Sequence, residues 1–230
     1  MGGLVYHVLN RGVGRMKLFE DDADYAAFER VLAEAVERRP GVRLLGYCQM
    51  PNHWHLVLWP RGGDDLSEFM RWLTVTHTQR WHAHRHTAGT GPIYQGRFKS
   101  FPVERDEHLV TVLRYAERNA LRAGLVGPRG RGEDWRWGSL WRWVNRRLAS
   151  ANPPEAPVLS AWPVDRPRGW AALVNEPLSE AELSAVRRSA QRGSPFGGDA
   201  WVRRTAERLG LQSALRPRGR PRKGEAATRG

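Results

Sequence analysis

Two hydrophobic periodicities alternate along the first half of the chain. Four stretches have the apolar runs or the alternation of β-strands, and they span residues 4–9, 42–50, 53–59 and 92–103. Two further stretches place apolar residues at every third or fourth position, as helices with one buried face do, and they span residues 22–38 and 66–85. The resulting order is strand, helix, strand, strand, helix, strand.

The connection between the second and third strands constrains the fold. Only Pro51 and Asn52 separate these strands, and so short a loop predicts an antiparallel pair. The order of elements then predicts an α+β protein with a ferredoxin-like split β-α-β core, in which helices cover one face of an antiparallel sheet.

The second half of the chain predicts an extra helix and a separate extension. A third helix is expected over residues 107–126, before a tryptophan-rich stretch at 135–143. Ser179 and Glu182 form a capping-box pattern that opens a helix, and another helix is expected between Asp199 and Gly210. The predicted domains are 1–150, a proline-rich linker at 151–177, and a small helical or disordered basic extension at 178–230.

Composition changes this picture by indicating a partner. The chain has 37 Lys and Arg against 24 Asp and Glu, a formal charge of +13, which favours a polyanion such as nucleic acid. Cys48 is the single cysteine, which excludes an intrachain disulfide framework and a multi-cysteine zinc site. No export signal or apolar stretch of membrane-spanning length is found, so we expect a cytoplasmic, nucleoid-associated protein without a membrane partner.

One strand carries a pair of histidines with the spacing of metal ligands. Because side chains alternate along a strand, His53 and His55 project from one face and Trp54 from the other. The two imidazoles can therefore reach one ion. The alternative is a pair of exposed histidines at the edge of a sheet.

The third helix offers further candidates. Tyr115 and Asn119 are four residues apart, so one turn presents a phenol and an amide side by side. Taken singly, each residue is also compatible with a tyrosine at the rim of the core or a capping asparagine. Tyr94 is a competing nucleophile, although its position in a strand beside Arg97 and Lys99 favours a packing role.

Several segments, taken together, resemble a known family. The stretches NHWHLVLW, YQGRFKSF, LRYAERNALRAGLV and DWRWGSLW resemble, in this order, the REP-associated tyrosine transposases of the HUH endonuclease superfamily. The resemblance covers about residues 4–145. It implies that His53, His55 and Asn119 bind a divalent metal, Mg²⁺ or Mn²⁺, and that Tyr115 is the catalytic nucleophile. Relatives usually have Asn-Pro where this chain has Asn119 and Ala120, so we expect the helix to continue further here.

Basic and aromatic residues around these motifs are candidates for DNA contacts. The candidates for phosphate contacts are Arg97, Lys99, Arg114, Arg118, Arg122, Arg218 and Arg220. Trp135, Trp137, Trp141 and Trp143 would either stack on unpaired bases or pack against the core. The tail around Arg218 and Arg220 resembles an AT-hook for AT-rich duplex DNA, or else binds any phosphate backbone.

The resemblance implies a metal-dependent endonuclease and strand transferase that acts on single-stranded hairpin DNA through a 5'-phosphotyrosine intermediate. We expect a monomer or a homodimer. Two alternatives stay open at this point: a DNA-binding regulator that derives from a transposase and lacks its chemistry, and a basic RNA-binding protein.

Overall fold

The computed structural model describes residues 2–146 and 156–216. Within these residues, four strands form an antiparallel sheet in the spatial order β2-β3-β1-β4. The strands are β1 (Val5–Arg11), β2 (Val42–Met50), β3 (His53–Pro60) and β4 (Lys99–Val103). This topology confirms the predicted α+β, ferredoxin-like fold class.

Two long helices cover one face of the sheet. They are α1 (Asp22–Arg38) and α2 (Asp65–Arg85). The Asp21 carboxylate accepts a hydrogen bond from the Asp24 backbone N–H at 3.1 Å, which caps the start of α1. Phe28, Phe69 and Trp54 are fully buried between the two helices and the sheet.

The opposite face is covered as well, by shorter helices from the second half of the chain. They are α3 (Glu107–Glu117), α4 (Asn119–Arg122), α5 (Ser139–Val144), α6 (Trp170–Asn175) and α7 (Glu180–Arg192). Leu109, Leu113, Trp170 and Val186 pack with the second face of the sheet in a separate core cluster. The sheet is thus a central layer with apolar side chains on both sides.

The described part of the expected linker packs on the core. The Trp162 indole N–H donates to the Leu45 carbonyl at 2.8 Å, and Trp170 is fully buried at the start of α6. Residues 156–177 therefore contact the sheet, although their proline content is typical of a linker. The burial of two large indoles outweighs the low local propensity for regular structure. The domain boundaries at 150 and 178 stay a prediction.

The C-terminal helices also contact the sheet. The capping box at Ser179 and Glu182 starts α7, and α8 (Asp199–Leu209) ends at Gly210 in the left-handed region, as predicted. Between these helices, the Phe196 backbone accepts from Glu104 N–H and donates to Pro102 O, both at 2.9 Å. This pairing covers the free edge of β4. A short helix, α9 (Gln212–Leu215), follows α8.

The fourth strand is shorter than predicted. β4 begins at Lys99, whereas the pattern predicted a strand from residue 92. Ile93 and Tyr94 are consecutive and both buried, which a strand with alternating faces does not allow against a single core. Tyr94 instead forms an isolated bridge to Gly12.

The tryptophan-rich stretch packs against the core. The Trp135 indole N–H donates to the Gln49 carbonyl at 2.8 Å, and the Trp137 ring stacks on Tyr25 with centroids 5.1 Å apart. Trp141 and Trp143 are half-buried. The Arg136 guanidinium lies over the Trp141 ring, and the Arg166 guanidinium lies over the Trp143 ring. These contacts support the packing alternative for the four rings. Among the described residues, no helix is long and apolar enough to cross a membrane.

Candidate active site

The two histidines of the His-Trp-His motif lie at the beginning of β3. Their ring centroids are 5.0 Å apart and the ring planes are 78° to each other. On β1, Arg11 lies opposite His53 and Leu9 lies opposite His55. Trp54 is fully buried on the α1 and α2 side. The two imidazoles therefore share one face, as strand alternation predicts.

Each imidazole is held through its Nδ1 atom. His53 Nδ1 lies 2.6 Å from the Asn52 side-chain oxygen, and His55 Nδ1 lies 2.9 Å from Nε2 of His7. The Nε2 atom of His55 is buried and has no hydrogen-bond partner within the described residues. Two neighbouring imidazoles, of which one has a buried ring nitrogen without a hydrogen-bond partner, are typical ligands of a metal site.

Electrostatics keep both imidazoles neutral. Burial, together with the charges of Arg11 and Arg122, lowers the pKa of His53 to about 4. Burial also lowers the pKa of His55 well below its usual value, and His7 and His53 contribute in the same direction. Neutral imidazole is the form that binds metal ions.

Tyr115 brings a phenol to the same place from α3. Its ring centroid lies 5.7 Å from that of His55, with the ring planes at 89°. The Arg122 guanidinium lies over the Tyr115 ring, 4.9 Å from its centroid. The side chain is 7% exposed, so the phenol is mostly enclosed by these neighbours. The structure thus brings together the paired histidines and the tyrosine that the sequence predicts.

Asn119 interrupts the helix that carries Tyr115. α3 ends at Glu117 and a single turn, α4, follows after Arg118, so the helix expected over residues 107–126 is not continuous. The Asn119 amide N–H₂ donates to the carbonyls of Tyr115 at 2.9 Å and Ala116 at 3.3 Å. An asparagine that binds backbone carbonyls in this way competes with regular helix hydrogen bonds. Ala120 itself lies in the helical turn α4, so the break falls before it, and the expectation that the helix continues further than in relatives stays a prediction.

The amide oxygen of Asn119 is also engaged. It accepts a hydrogen bond from the Arg122 guanidinium, and the side chain is fully buried at the edge of the cleft. For Asn119 to serve as a metal ligand, Arg122 must release this oxygen. The role of Asn119 as a third ligand stays a prediction.

Two of the predicted phosphate contacts have another role. The Arg114 guanidinium donates to the carbonyls of Leu173, Glu176 and Pro177 at 2.8–3.0 Å. The Arg118 guanidinium donates to the carbonyls of Val174 at 2.8 Å and Asn175 at 2.5 Å, the last two residues of α6. Both arginines bind the carbonyl end of α6, which gives them a structural role, and their contacts to DNA stay a prediction.

The histidines and the tyrosine line an open cleft of about 700 Å³. Its cationic residues are Arg11, Arg97, Lys99, Arg122 and Arg187. No carboxylate lines the cleft in the part of the chain that the structure describes. The concentration of cations favours an anionic chain in the cleft.

Sequence reasoning missed part of this lining. Arg11 follows from the register of β1 against β3, which places it opposite His53. Arg187 and Gln191 come from α7, more than 60 residues beyond Tyr115 in the chain. No local signal in the sequence identified α7 as part of this cleft.

Tyr94, the alternative nucleophile, forms its hydrogen bonds away from the cleft. Its hydroxyl accepts a hydrogen bond from the Trp54 indole N–H at 3.0 Å and lies 2.6 Å from Nδ1 of His77. The residue is buried with the α1 and α2 side of the sheet, on the face opposite the histidine pair. This arrangement supports the packing role.

Two further groups of candidate residues are a small cluster near the start of α3 and the arginines of the basic tail. Glu104, Asp106 and His108 form a small cluster of potential ligands, but Asp106 caps α3 and Glu104 accepts from the Gly198 N–H at 2.8 Å. Arg218 and Arg220, with the AT-hook-like tail, lie outside the described residues.

Comparison with known proteins identifies the family. The family model for transposases, IS200 like, matches residues 1–119, which is more than half of the chain. The chain belongs to this family, and its members are DNA-processing transposases. The match ends at Asn119, so α5 to α9 lie beyond it.

The chain is also similar to solved structures. The chain is similar to a REP-associated tyrosine transposase bound to a REP hairpin, with 22% identity and a TM-score of 0.51, over 70% of this chain and 90% of that one. It also matches a crystal structure from Deinococcus radiodurans assigned as a transposase, with 16% identity and a TM-score of 0.38, over 54% of this chain and 87% of that one. No curated protein matches significantly.

Proposed function

We propose that this chain is a metal-dependent, single-strand DNA endonuclease and strand transferase that acts on hairpin DNA. The observation that carries the proposal is the meeting of three side chains, since the rings of His53, His55 and Tyr115 share one cleft with centroids 5.0 and 5.7 Å apart. Membership of the transposase family and the likeness to a hairpin-bound transposase support it.

The donor set fits Mg²⁺ or Mn²⁺. His53 and His55 offer neutral imidazoles, and the buried Nε2 of His55 has no protein partner within the described residues. Two ring nitrogens with or without one amide oxygen leave coordination positions open, unlike a closed structural zinc site. When bound, such an ion withdraws electron density from the scissile phosphate and neutralises its charge.

Tyr115 carries the covalent step. Its phenolic oxygen attacks the phosphorus, the new O–P bond forms, and the bond from phosphorus to the 3' oxygen breaks. The products are a 5'-phosphotyrosine and a 3'-hydroxyl, which takes up a proton. The phenol proton must pass to a base, and no carboxylate among the described residues lines the cleft to accept it. The reverse attack by a 3'-hydroxyl joins strands, so one reaction serves both cleavage and transfer.

The cationic residues of the cleft position the substrate. Arg122 lies over the Tyr115 ring, where its positive charge favours the developing phenolate. Arg11, Arg97, Lys99 and Arg187 offer contacts to phosphates on either side of the scissile bond, which would fix the register of the single strand.

A covalent adduct assay tests the proposal. The protein is incubated with labelled hairpin DNA that carries a single-stranded flank, in Mg²⁺ or Mn²⁺, and resolved on a denaturing gel. We expect a slowly migrating adduct that disappears in Tyr115→Phe and persists in the folded control Tyr94→Phe. A panel of hairpins that gives no adduct in either ion contradicts the proposal and favours the DNA-binding regulator.

A further inference from the structure

A third histidine lies directly behind the metal-binding pair. His7, on β1, is fully buried and its Nε2 lies 2.9 Å from Nδ1 of His55. Its ring packs against Phe101 at 4.9 Å and against Tyr115 at 6.0 Å between centroids. Because His7 precedes His55 by 48 residues, only the antiparallel pairing of β1 with β3 brings the two rings together.

Proton counting limits what this contact can be. A hydrogen bond between two neutral imidazole nitrogens holds one proton, so one ring donates and the other accepts. If His7 donates, the remaining proton of His55 is on Nε2, which then has no lone pair for an ion. If His55 donates, its Nε2 lone pair is free. Only the second arrangement allows His55 to bind a metal.

The neighbouring ligand shows the same arrangement. His53 Nδ1 lies 2.6 Å from the side-chain oxygen of Asn52, and the Asn52 amide N–H₂ donates to the Arg15 carbonyl at 3.3 Å. The amide oxygen of Asn52 is thus the acceptor, and His53 carries its proton on Nδ1. In both histidines, Nδ1 faces a protein group, so Nε2 is the atom that stays available.

We propose that His7 is a positioning residue, whose Nε2 accepts the Nδ1 proton of His55 and thereby holds the Nε2 lone pair of His55 toward the ion. The inference rests on the proposed function, because it concerns the same metal site. In this arrangement the proton of His7 is on its own Nδ1, a buried atom with no partner in the described part of the chain. Packing alone does not require this Nδ1–H donor without a partner, since an apolar side chain would fill the same space.

Two substitutions separate the acceptor from the packing. His7→Gln retains an acceptor at nearly the reach of Nε2, whereas His7→Leu fills the space without one. We measure the affinity of the DNA-free proteins for Mn²⁺ from the electron paramagnetic resonance signal of the free ion. We expect a loss of about 10- to 100-fold in His7→Leu and an affinity close to wild type in His7→Gln.

A matched control excludes general loosening of the fold. His77 is another buried histidine, on the opposite face of the sheet, where its Nδ1 contacts the Tyr94 hydroxyl. His77→Leu should lower the melting temperature and leave the Mn²⁺ affinity unchanged. Equal affinities of wild type and folded His7→Leu would overturn the role of His7.

The wild-type protein gives a second readout that needs no variant. In protein labelled with ¹⁵N in its histidines and saturated with diamagnetic Mg²⁺, long-range proton–nitrogen correlations identify which ring nitrogen carries the proton. We expect His55 to carry its proton on Nδ1. We expect Nε2 of His7 to carry no proton, because it accepts this hydrogen bond. A proton on Nε2 of His55 in the Mg²⁺-bound state refutes the inference. Wild-type protein that binds neither ion refutes the proposed metal site itself, together with this inference, and is distinguishable from the other outcomes.

Discussion

The contact between Trp170 and Glu117 ties the second half of the chain to the helix that carries Tyr115. Trp170 is fully buried, and its indole N–H donates to a Glu117 carboxylate oxygen at 2.6 Å. The substitution Trp170→Phe keeps an aromatic ring in the site and removes the donor. The buried carboxylate oxygen then loses its partner.

The expected cost follows from two terms. A buried acceptor left without a partner costs about 1–3 kcal/mol. The smaller ring leaves a cavity, and because complete truncation of a buried aromatic residue costs about 3–5 kcal/mol, the partial truncation adds about 1 kcal/mol. The free energy of unfolding should therefore fall by about 2–4 kcal/mol, a large share of the stability of a typical domain.

Trp162→Phe provides the control within the same segment. Trp162 is half-buried, packs edge-on against Trp170 at 5.0 Å, and donates to the neutral Leu45 carbonyl at 2.8 Å. Loss of this bond should cost only about 1 kcal/mol. Urea unfolding followed by circular dichroism measures both variants, with an unchanged slope as the condition for comparing midpoints. A midpoint for Trp170→Phe that is no lower than that for Trp162→Phe would refute the reasoning.

Three further predictions concern charge. Burial raises the pKa of the Glu117 carboxyl group above its ordinary value of 4.5. The folded state therefore binds the carboxyl proton more tightly than the unfolded state does. The contribution of this group to the free energy of unfolding falls as the pH rises above about 4.5. Glu117→Gln should gain stability relative to wild type as the pH rises above about 4.5, and a urea midpoint difference that does not change with pH contradicts this. Arg187 lines the cleft whereas its neighbour Arg188 does not, so Arg187→Ala should reduce the salt dependence of single-strand binding by about 0.7 in logarithmic slope, and Arg188→Ala should leave it unchanged; fluorescence anisotropy across a KCl series measures both. Arg122→Met frees the Asn119 amide oxygen, so the variant should bind Mn²⁺ more tightly and DNA more weakly. The gain in Mn²⁺ affinity should vanish when Asn119→Ala is added. Weaker Mn²⁺ binding in Arg122→Met speaks against Asn119 as a ligand.

Most of the framework of the fold was predictable from local patterns. Alternation along residues 53–59 placed His53 and His55 on one face and Trp54 on the other, and the two-residue turn before them predicted the antiparallel pair. Each of these inferences depends on neighbours within one element, where periodicity alone reports which side is buried.

In two segments, tertiary packing outweighs local preference. Residues 156–177 have the composition of a linker, yet Trp162 and Trp170 anchor them on the sheet. The helix expected over residues 107–126 is interrupted at Arg118, where the Asn119 amide N–H₂ binds carbonyls of the preceding turn and its oxygen accepts from the Arg122 guanidinium. Propensity scales describe an isolated segment, and here the partners of that segment decide its conformation.

The sequence by itself determined the order of strands and helices in the core, the basic character and the residues of the His-Trp-His and tyrosine motifs. Only the tertiary structure decided that the His7 ring contacts His55, that Arg187 reaches the cleft, and that Arg114 binds the carbonyl end of α6. The physical reason is sequence separation: these partners are 48 or more residues apart, so no local periodicity records them, and only the pairing of strands and the packing of helices bring them within contact distance.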